Sequence, residues 1–181
     1  ISNFRHRPLG LGVQGLADVF AKMGIPFNSD KAKEMNKKIF ETIYYGALWE
    51  SMEISKKRTP LMKEYKELIT ARNWKLWQLE DAIAAQQHLA DKKTTEGKDF
   101  TRLKELHKIL KPIPEELMND KYPGTYSSYV GSPMEKGQCQ FDLWEVFDNN
   151  TLTCDWDKLK AEIKQWGIRN SLLLAPMPTA S

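Results

Sequence analysis

Two hydroxyls, on Thr179 and Ser181, stand in the stretch Pro178-Thr179-Ala180-Ser181, just beyond the apolar run Ser171 to Ala175. Such a run reads as a buried strand, and α/β folds place ligands outside the C-terminal ends of their strands. There, Thr and Ser hydroxyls beside free backbone N–H groups suit a phosphate at a helix start. The same residues equally suit the N-cap of a following helix. Chemistry alone leaves the two readings level.

Other candidates are weaker. Gly10-Leu11-Gly12-Val13-Gln14-Gly15 has the GxGxxG spacing. Dinucleotide binding needs a strand before the first glycine, so that the turn aims a helix N-terminus at a pyrophosphate. Here the charged Arg5-His6-Arg7-Pro8 precedes it, and the glycines lie inside the strand signal. Close backbone packing at a strand-to-helix turn is the favoured reading. Arg5, His6 and Arg7 suit an anion, but a solvated or ion-paired loop is the commoner outcome. His6, His88 and His107 lie at no metal-ligand spacing from one another or from a cysteine, so no metal site is expected. Cys139 and Cys154 lie in a loop-rich region and read as two unconnected thiols rather than a redox pair. Trp74, Lys75 and Trp77 could stack on nucleic acid. At that spacing they more often form the core of a helical hairpin.

The elements that hold these residues follow from periodicity. Leu9 to Val13 reads as a short buried strand and Gln14 to Met23 as a helix, broken by Gly24-Ile25-Pro26. Ser29 or Asp30 caps a long amphipathic helix expected to end near Lys57. Its stripe is Ala32, Met35, Ile39, Ile43 and Ala47, widened by Phe40, Tyr44, Leu48 and Met52. Thr59-Pro60 then looks like an N-cap with Pro at the first helical position. Leu61, Tyr65, Leu68 and Ile69 share one face of that helix. Trp74, Trp77, Ala82, Ala85 and Leu89 suggest a second helix, and Phe100, Leu103, Leu106 and Leu110 a third. A polar break, Lys92 to Lys98, separates them, and Pro112 and Pro114 end the last. Tyr122 to Gly137 is turn-rich. Asp155 caps a helix carrying Trp156, Leu159 and Ile163, with Gly167 as its stop.

The division expected is a first segment, 1–57, a helical insert, 58–121, and a final segment, 122–181, that ends at the Pro178–Ser181 stretch. Strand, helix, helix, loop, helix, strand outside the insert is an α/β pattern with parallel strands. Two short strands cannot close a sheet, so a piece of a larger domain is expected. The sequence opens on Ile1 without a Met and closes just after an apolar run, and missing coding sequence is the expectation.

Composition sets the class. The 181 residues are 41% hydrophobic and 28% charged, with 6 Trp, 6 Tyr and 7 Phe to seed a core, which argues against disorder. No run approaches the ~18 apolar residues that spanning a membrane needs. The 27 Lys and Arg are mixed with 24 Asp and Glu, so the net charge of +3 marks no basic stripe for nucleic acid. Two cysteines and no leader-like opening make a reducing, cytoplasmic setting the expectation.

Four blocks in order carry a resemblance. They are Arg5 to Asp18; Ile39-Phe40-Glu41-Thr42-Ile43-Tyr44-Tyr45-Gly46-Ala47-Leu48; Gly131-Ser132-Pro133 with Lys136-Gly137 and Phe141-Asp142-Leu143-Trp144; and Gly167 to Ser181. Together they resemble the large catalytic subunit of class I ribonucleotide reductase, of the eukaryotic and viral type. The resemblance covers Ile1 to about Lys57 and about Tyr122 to Ser181. The segment between departs from the family pattern, in which a short loop joins the two parts, and suggests a divergent lineage or a virus.

The resemblance implies a fragment of a ten-stranded α/β barrel, mostly helical as it stands. The family reduces ribonucleoside diphosphates to deoxyribonucleotides. A radical from a small metal-containing subunit reaches a barrel cysteine, a cysteine pair supplies electrons, and an Asn and a Glu assist. Those motifs lie upstream in the family, so no catalytic residue, cofactor or metal ligand is expected here. Cys139 and Cys154 match no catalytic cysteine. Pro178, Thr179, Ala180 and Ser181 match the stretch that binds the substrate diphosphate. The implied partners are the small radical-generating subunit, thioredoxin or glutaredoxin as dithiol reductant, and a second copy of the large subunit. ATP and deoxynucleotide effectors would bind outside this segment, and neither a membrane nor nucleic acid is implied. A non-catalytic helical interaction or nucleic-acid-binding module, built on the Trp- and Lys-bearing insert, is the alternative.

Overall fold

The longest amphipathic stripe dominates the architecture. In the computed structural model, which describes residues 2–84, 94–110, 119–144 and 153–176, it forms one 43-residue helix. The helices are α1 (Ser2–His6), α2 (Leu16–Lys22), α3 (Asp30–Arg72), α4 (Leu76–Ala84), α5 (Thr95–Leu110), α6 (Gln140–Leu143) and α7 (Trp156–Trp166). The Ser29 hydroxyl caps α3 by accepting from the Ala32 N–H at 3.2 Å, and Asn73 closes it in the left-handed conformation.

The expected break near Lys57, with a fresh start at Thr59-Pro60, does not occur. Thr59 is no cap: its hydroxyl donates back along the same helix to the Ser55 carbonyl at 2.9 Å. Pro60 lies inside the helix, on an exposed position. An interior proline costs about 3 kcal/mol. Burial on both sides of it outweighs that penalty. Leu48 and Met52 pack with Leu159 and Ile163 of α7, while Met62, Tyr65 and Ile69 pack with Phe100, Leu103 and Leu106 of α5. Most of a helix's stability comes from such tertiary packing rather than from propensity.

These are two separate cores threaded by one helix. The second contains Leu79 and Ala82 of α4 and Leu110 of α5, so the apolar stripes of the segment after Lys57 do pack on one another. Of the break expected over Lys92 to Lys98, residues 92 and 93 lie outside the described residues, and α5 already starts at Thr95, with the Thr94 hydroxyl accepting from Gly97 N–H at 3.1 Å. Ala85, Leu89, Pro112 and Pro114 lie outside the described residues. A third, small core joins Phe20 and Ile25 to Ala32. The α7 ends follow the sequence: the Asp155 carboxylate accepts from Lys158 N–H at 3.1 Å, and Gly167 stops the helix at φ 67.

The two expected strands lie side by side and parallel, but no regular strand forms among the described residues. Leu11 pairs with Leu174 in a single parallel bridge. Leu9 N–H donates to Leu172 O, Leu11 N–H to Leu173 O, and Ala175 N–H to Leu11 O, each at 2.9 Å. Between the first two bonds the donor advances two residues and the acceptor only one. That slip stops the evenly spaced ladder that a parallel pair requires. Leu9, Leu11 and Leu172 remain exposed.

One close approach locks the turn-rich stretch to α3. A Cβ on Gly124 would lie 2.0 Å from the Ser55 carbonyl oxygen, a backbone atom that cannot step aside. Gly124→Ala is therefore expected to lower stability by about 3 kcal/mol through overpacking. Chemical denaturation of the variant checks it: an unchanged midpoint would show that the stretch is loosely held.

Candidate functional site

The run that leads to the hydroxyl-bearing stretch is held from both sides. Gly10 permits the contact with the parallel partner, because a Cβ there would approach Ala175 Cβ to 3.2 Å. This supports the packing role expected of the glycine-rich stretch. Gly15 takes the left-handed conformation at φ 78, just before the seven-residue α2. Beyond Pro176 the chain continues into Pro178, Thr179, Ala180 and Ser181, which lie outside the described residues. Pro176, Leu172 and Leu174 line a cleft of about 710 Å³. Phe40 and Tyr44 of α3, with Phe141, Trp144 and Trp156, line it too. Burial pushes the Tyr44 hydroxyl up to about 12, so it stays protonated at neutral pH.

A polar anchor fixes the start of this run. The Ser51 hydroxyl of α3 accepts from the N–H groups of Arg169 at 3.1 Å and Asn170 at 3.0 Å, and it donates to Asn170 Oδ1 at 2.9 Å. Asn170 Nδ2 donates to the Arg7 carbonyl at 2.8 Å, and Ser171 N–H to the His6 carbonyl at 2.9 Å. Ser127 N–H donates to the Arg5 carbonyl at 2.9 Å. The backbone of Arg5-His6-Arg7 is thus tied to two loops and is not a free solvated segment. Sequence reasoning passed over Ser51. Its signal was a small polar residue on an apolar stripe, repeated at Ser55 and Thr59 with helical spacing of four.

Glu41 was also passed over as a polar group. It is 7% exposed and accepts four hydrogen bonds. Thr153 N–H donates at 2.8 Å, the Thr153 hydroxyl at 3.1 Å, Cys154 N–H at 2.9 Å and Trp156 Nε1–H at 3.0 Å. Burial pushes its carboxyl up, but the bonds from Cys154, Trp156 and Thr153 together outweigh this and hold it below the ordinary 4.5. Glu41 thereby fastens the chain entering α7 to α3.

The remaining candidates have structural partners. His6 Nδ1 bonds the Ser128 hydroxyl at 3.0 Å, and His107 Nδ1 bonds the Tyr65 hydroxyl at 3.2 Å. His88 lies outside the described residues. Burial pushes the Cys139 thiol up to about 12, and burial followed by the Glu41 charge raises Cys154. Among the described residues, no three His, Cys, Asp or Glu side chains gather to hold a metal. Trp74 packs edge-on against Phe100, with centroids 5.6 Å apart, beside the second core. That ring is in use as core and is not a free stacking platform.

Comparison with known proteins decides the family. The model of the ribonucleotide reductase barrel domain matches residues 1–109 and 117–181. The chain belongs to the ribonucleotide reductase barrel-domain family. The match runs through 58–109 as well, so this segment does not depart from the family pattern as the sequence reading expected. Barrel-domain relatives include the ribonucleoside-diphosphate reductase large subunit of Caenorhabditis elegans, 39% identical over 180 residues, 99% of this chain and 14% of that protein. The large subunit of Plasmodium falciparum (isolate Dd2) is 38% identical over the same shares. That of Vaccinia virus (strain Copenhagen) is 36% identical over 181 residues, all of this chain and 15% of that protein. The chain therefore spans about one seventh of these relatives. Among the described residues, no helix of this barrel-domain segment is long and apolar enough to cross a membrane.

Proposed function

We propose that this chain is a segment of a ribonucleoside-diphosphate reductase large subunit, and that it supplies barrel framework and the loop that holds the substrate's phosphates. The whole protein would reduce ribonucleoside diphosphates to deoxyribonucleoside diphosphates by thiyl-radical chemistry in the cytoplasm. It would work with a small radical-generating subunit, with thioredoxin or glutaredoxin as reductant, and as a homodimer regulated by ATP and deoxynucleotides bound elsewhere. The observation that carries the reading is the parallel pairing of Leu11 with Leu174, in a chain matched to large subunits along its length. A parallel pair embedded among helices suits one corner of a ten-stranded α/β barrel. The segment after it then leaves at the C-terminal side, where Pro178, Thr179, Ala180 and Ser181 would hold a diphosphate. The helical segment 58–121, with its own core, would be an excursion from the barrel surface. Long excursions are tolerated because loop-closure entropy grows slowly with length.

The 181-residue chain alone is expected to show no turnover when a dithiol, a radical-generating subunit and a ribonucleoside diphosphate are supplied. The complete protein should reduce the same substrate under the same conditions. Deoxynucleotide formation by the chain itself would place the chemistry within these residues and overturn the reading.

A further inference from the structure

Six arginines lie among the described residues, and they fall into two groups. Arg72 pairs with Asp99, and Arg102 pairs with Glu64 and Glu105. Arg5, Arg7, Arg58 and Arg169 pair with no carboxylate among the described residues, although each is at least partly buried. Arg169 is only 6% exposed, and its Nη1 donates to the Thr125 carbonyl at 3.3 Å. Arg58 extends from α3, where its Nη1 donates to the Leu110 carbonyl at 3.1 Å. The Nε–H groups of Arg5, Arg7 and Arg58 are buried with no acceptor among the described residues.

We propose that Arg7, Arg58 and Arg169 form a binding site for a phosphate-type oxyanion, at the junction of the Arg5–Arg7 run, α3 and the loop at Thr125, separate from Pro178–Ser181. Three different stretches of chain are brought together there by bonds already in place. Asn170 holds the Arg7 carbonyl, Ser51 holds Arg169 and Asn170, and Gly124 abuts Ser55 one turn before Arg58. The charges are near enough to act on one another. Burial, then Arg58 and Arg7, push Arg169 down to about 9, and burial, then Arg7, push Arg58 down to about 10. Buried like charges persist when something compensates them. Arg7 takes a positive φ of 47, a conformation that non-glycine residues rarely adopt, so the fold holds this residue against its local preference. The planar guanidinium fork fits a tetrahedral oxyanion, and several forks around one anion supply the charge and the donors that it needs.

Inorganic phosphate is the probe. Titrated into the 181-residue chain at constant ionic strength, it should bind saturably and raise the thermal midpoint, while chloride does neither; the binding that survives Thr179→Ala with Ser181→Ala is the part assigned to this site. Arg58→Gln and Arg169→Gln should each weaken binding at least tenfold. Arg58→Lys keeps the charge without the fork and should weaken it several-fold, with an unchanged circular dichroism spectrum showing that the fold survives. Thr179→Ala with Ser181→Ala should leave this binding unchanged. Repeating the titration with ADP in that double variant tells a free phosphate from a nucleotide's phosphate, and Arg58-dependent binding of either supports the site. The proposal is overturned if phosphate fails to bind, if binding survives Arg58→Lys and Arg58→Gln undiminished, or if only the Thr179/Ser181 variant removes it. It also fails if phosphate binds only after Glu115→Gln with Glu116→Gln, because the chain's own carboxylates would then be the counter-charge.

Discussion

In the complete large subunit, Thr179→Ala combined with Ser181→Ala is expected to lower kcat/KM for ribonucleoside diphosphates by roughly one to three orders of magnitude. A hydrogen bond to a charged oxygen contributes about 1.5–3 kcal/mol, and two such bonds to one phosphate group are not additive. Part of the loss should appear in kcat. Phosphate binding far from the ribose also positions the ribose for hydrogen abstraction, so binding energy at one end is expressed as rate at the other. Effector binding should not change. Steady-state kinetics and a thermal melt of the same variant decide the matter together. If kcat/KM stays at the wild-type value while the midpoint falls, the two hydroxyls only cap a helix. The N-cap reading of the sequence would then stand in place of the phosphate reading.

The second large effect is expected at Glu41, on stability. Glu41→Ala strips the acceptor from Thr153 N–H and Cys154 N–H, which are part-buried, and from Trp156 Nε1–H, which is buried. Unsatisfied buried donors of this kind cost about 1–3 kcal/mol each, and the total for a group acting as a unit is about 3–5 kcal/mol. For a chain of this size that corresponds to a fall in Tm on the order of 10 °C. Glu41→Gln keeps an oxygen for the three N–H donors, those of Thr153, Cys154 and Trp156, and should lose about 1–2 kcal/mol. The difference between wild type and Glu41→Gln should also depend on pH. The Glu41 carboxyl titrates lower in the folded state than its ordinary 4.5, so its contribution is fully present above that pH. It is lost as pH falls through the folded value, because the unfolded chain then takes up the proton first. The gap in denaturant midpoint between the two proteins should be widest at neutral pH and shrink as pH falls below 4.5. A gap that stays constant across that range would mean that the charge on Glu41 does not matter.

Local signals were enough for the parts of this protein that local physics controls. The cap at Ser29, the cap at Asp155, the stop at Gly167 and the stripes of α3, α5 and α7 were all legible, because each depends on side chains within a few positions. The four blocks that pointed to the family are likewise properties of the chain alone, and the comparisons agree with them. Thr59-Pro60 misled for a physical reason. Read locally it starts a helix, yet packing against α7 on one side and α5 on the other carries α3 through the proline. The strands were legible as apolar runs, but their one-residue slip was not, because register is set between segments more than 150 residues apart in sequence. Glu41 and Ser51 read as ordinary helix polar residues, and only the approach of Thr153–Trp156 and Arg169–Asn170 gives them partners. The same holds for Arg7, Arg58 and Arg169. Their charges are plain in the sequence, but whether a cation is solvated, paired or gathered with others is decided by which distant segments fold against it.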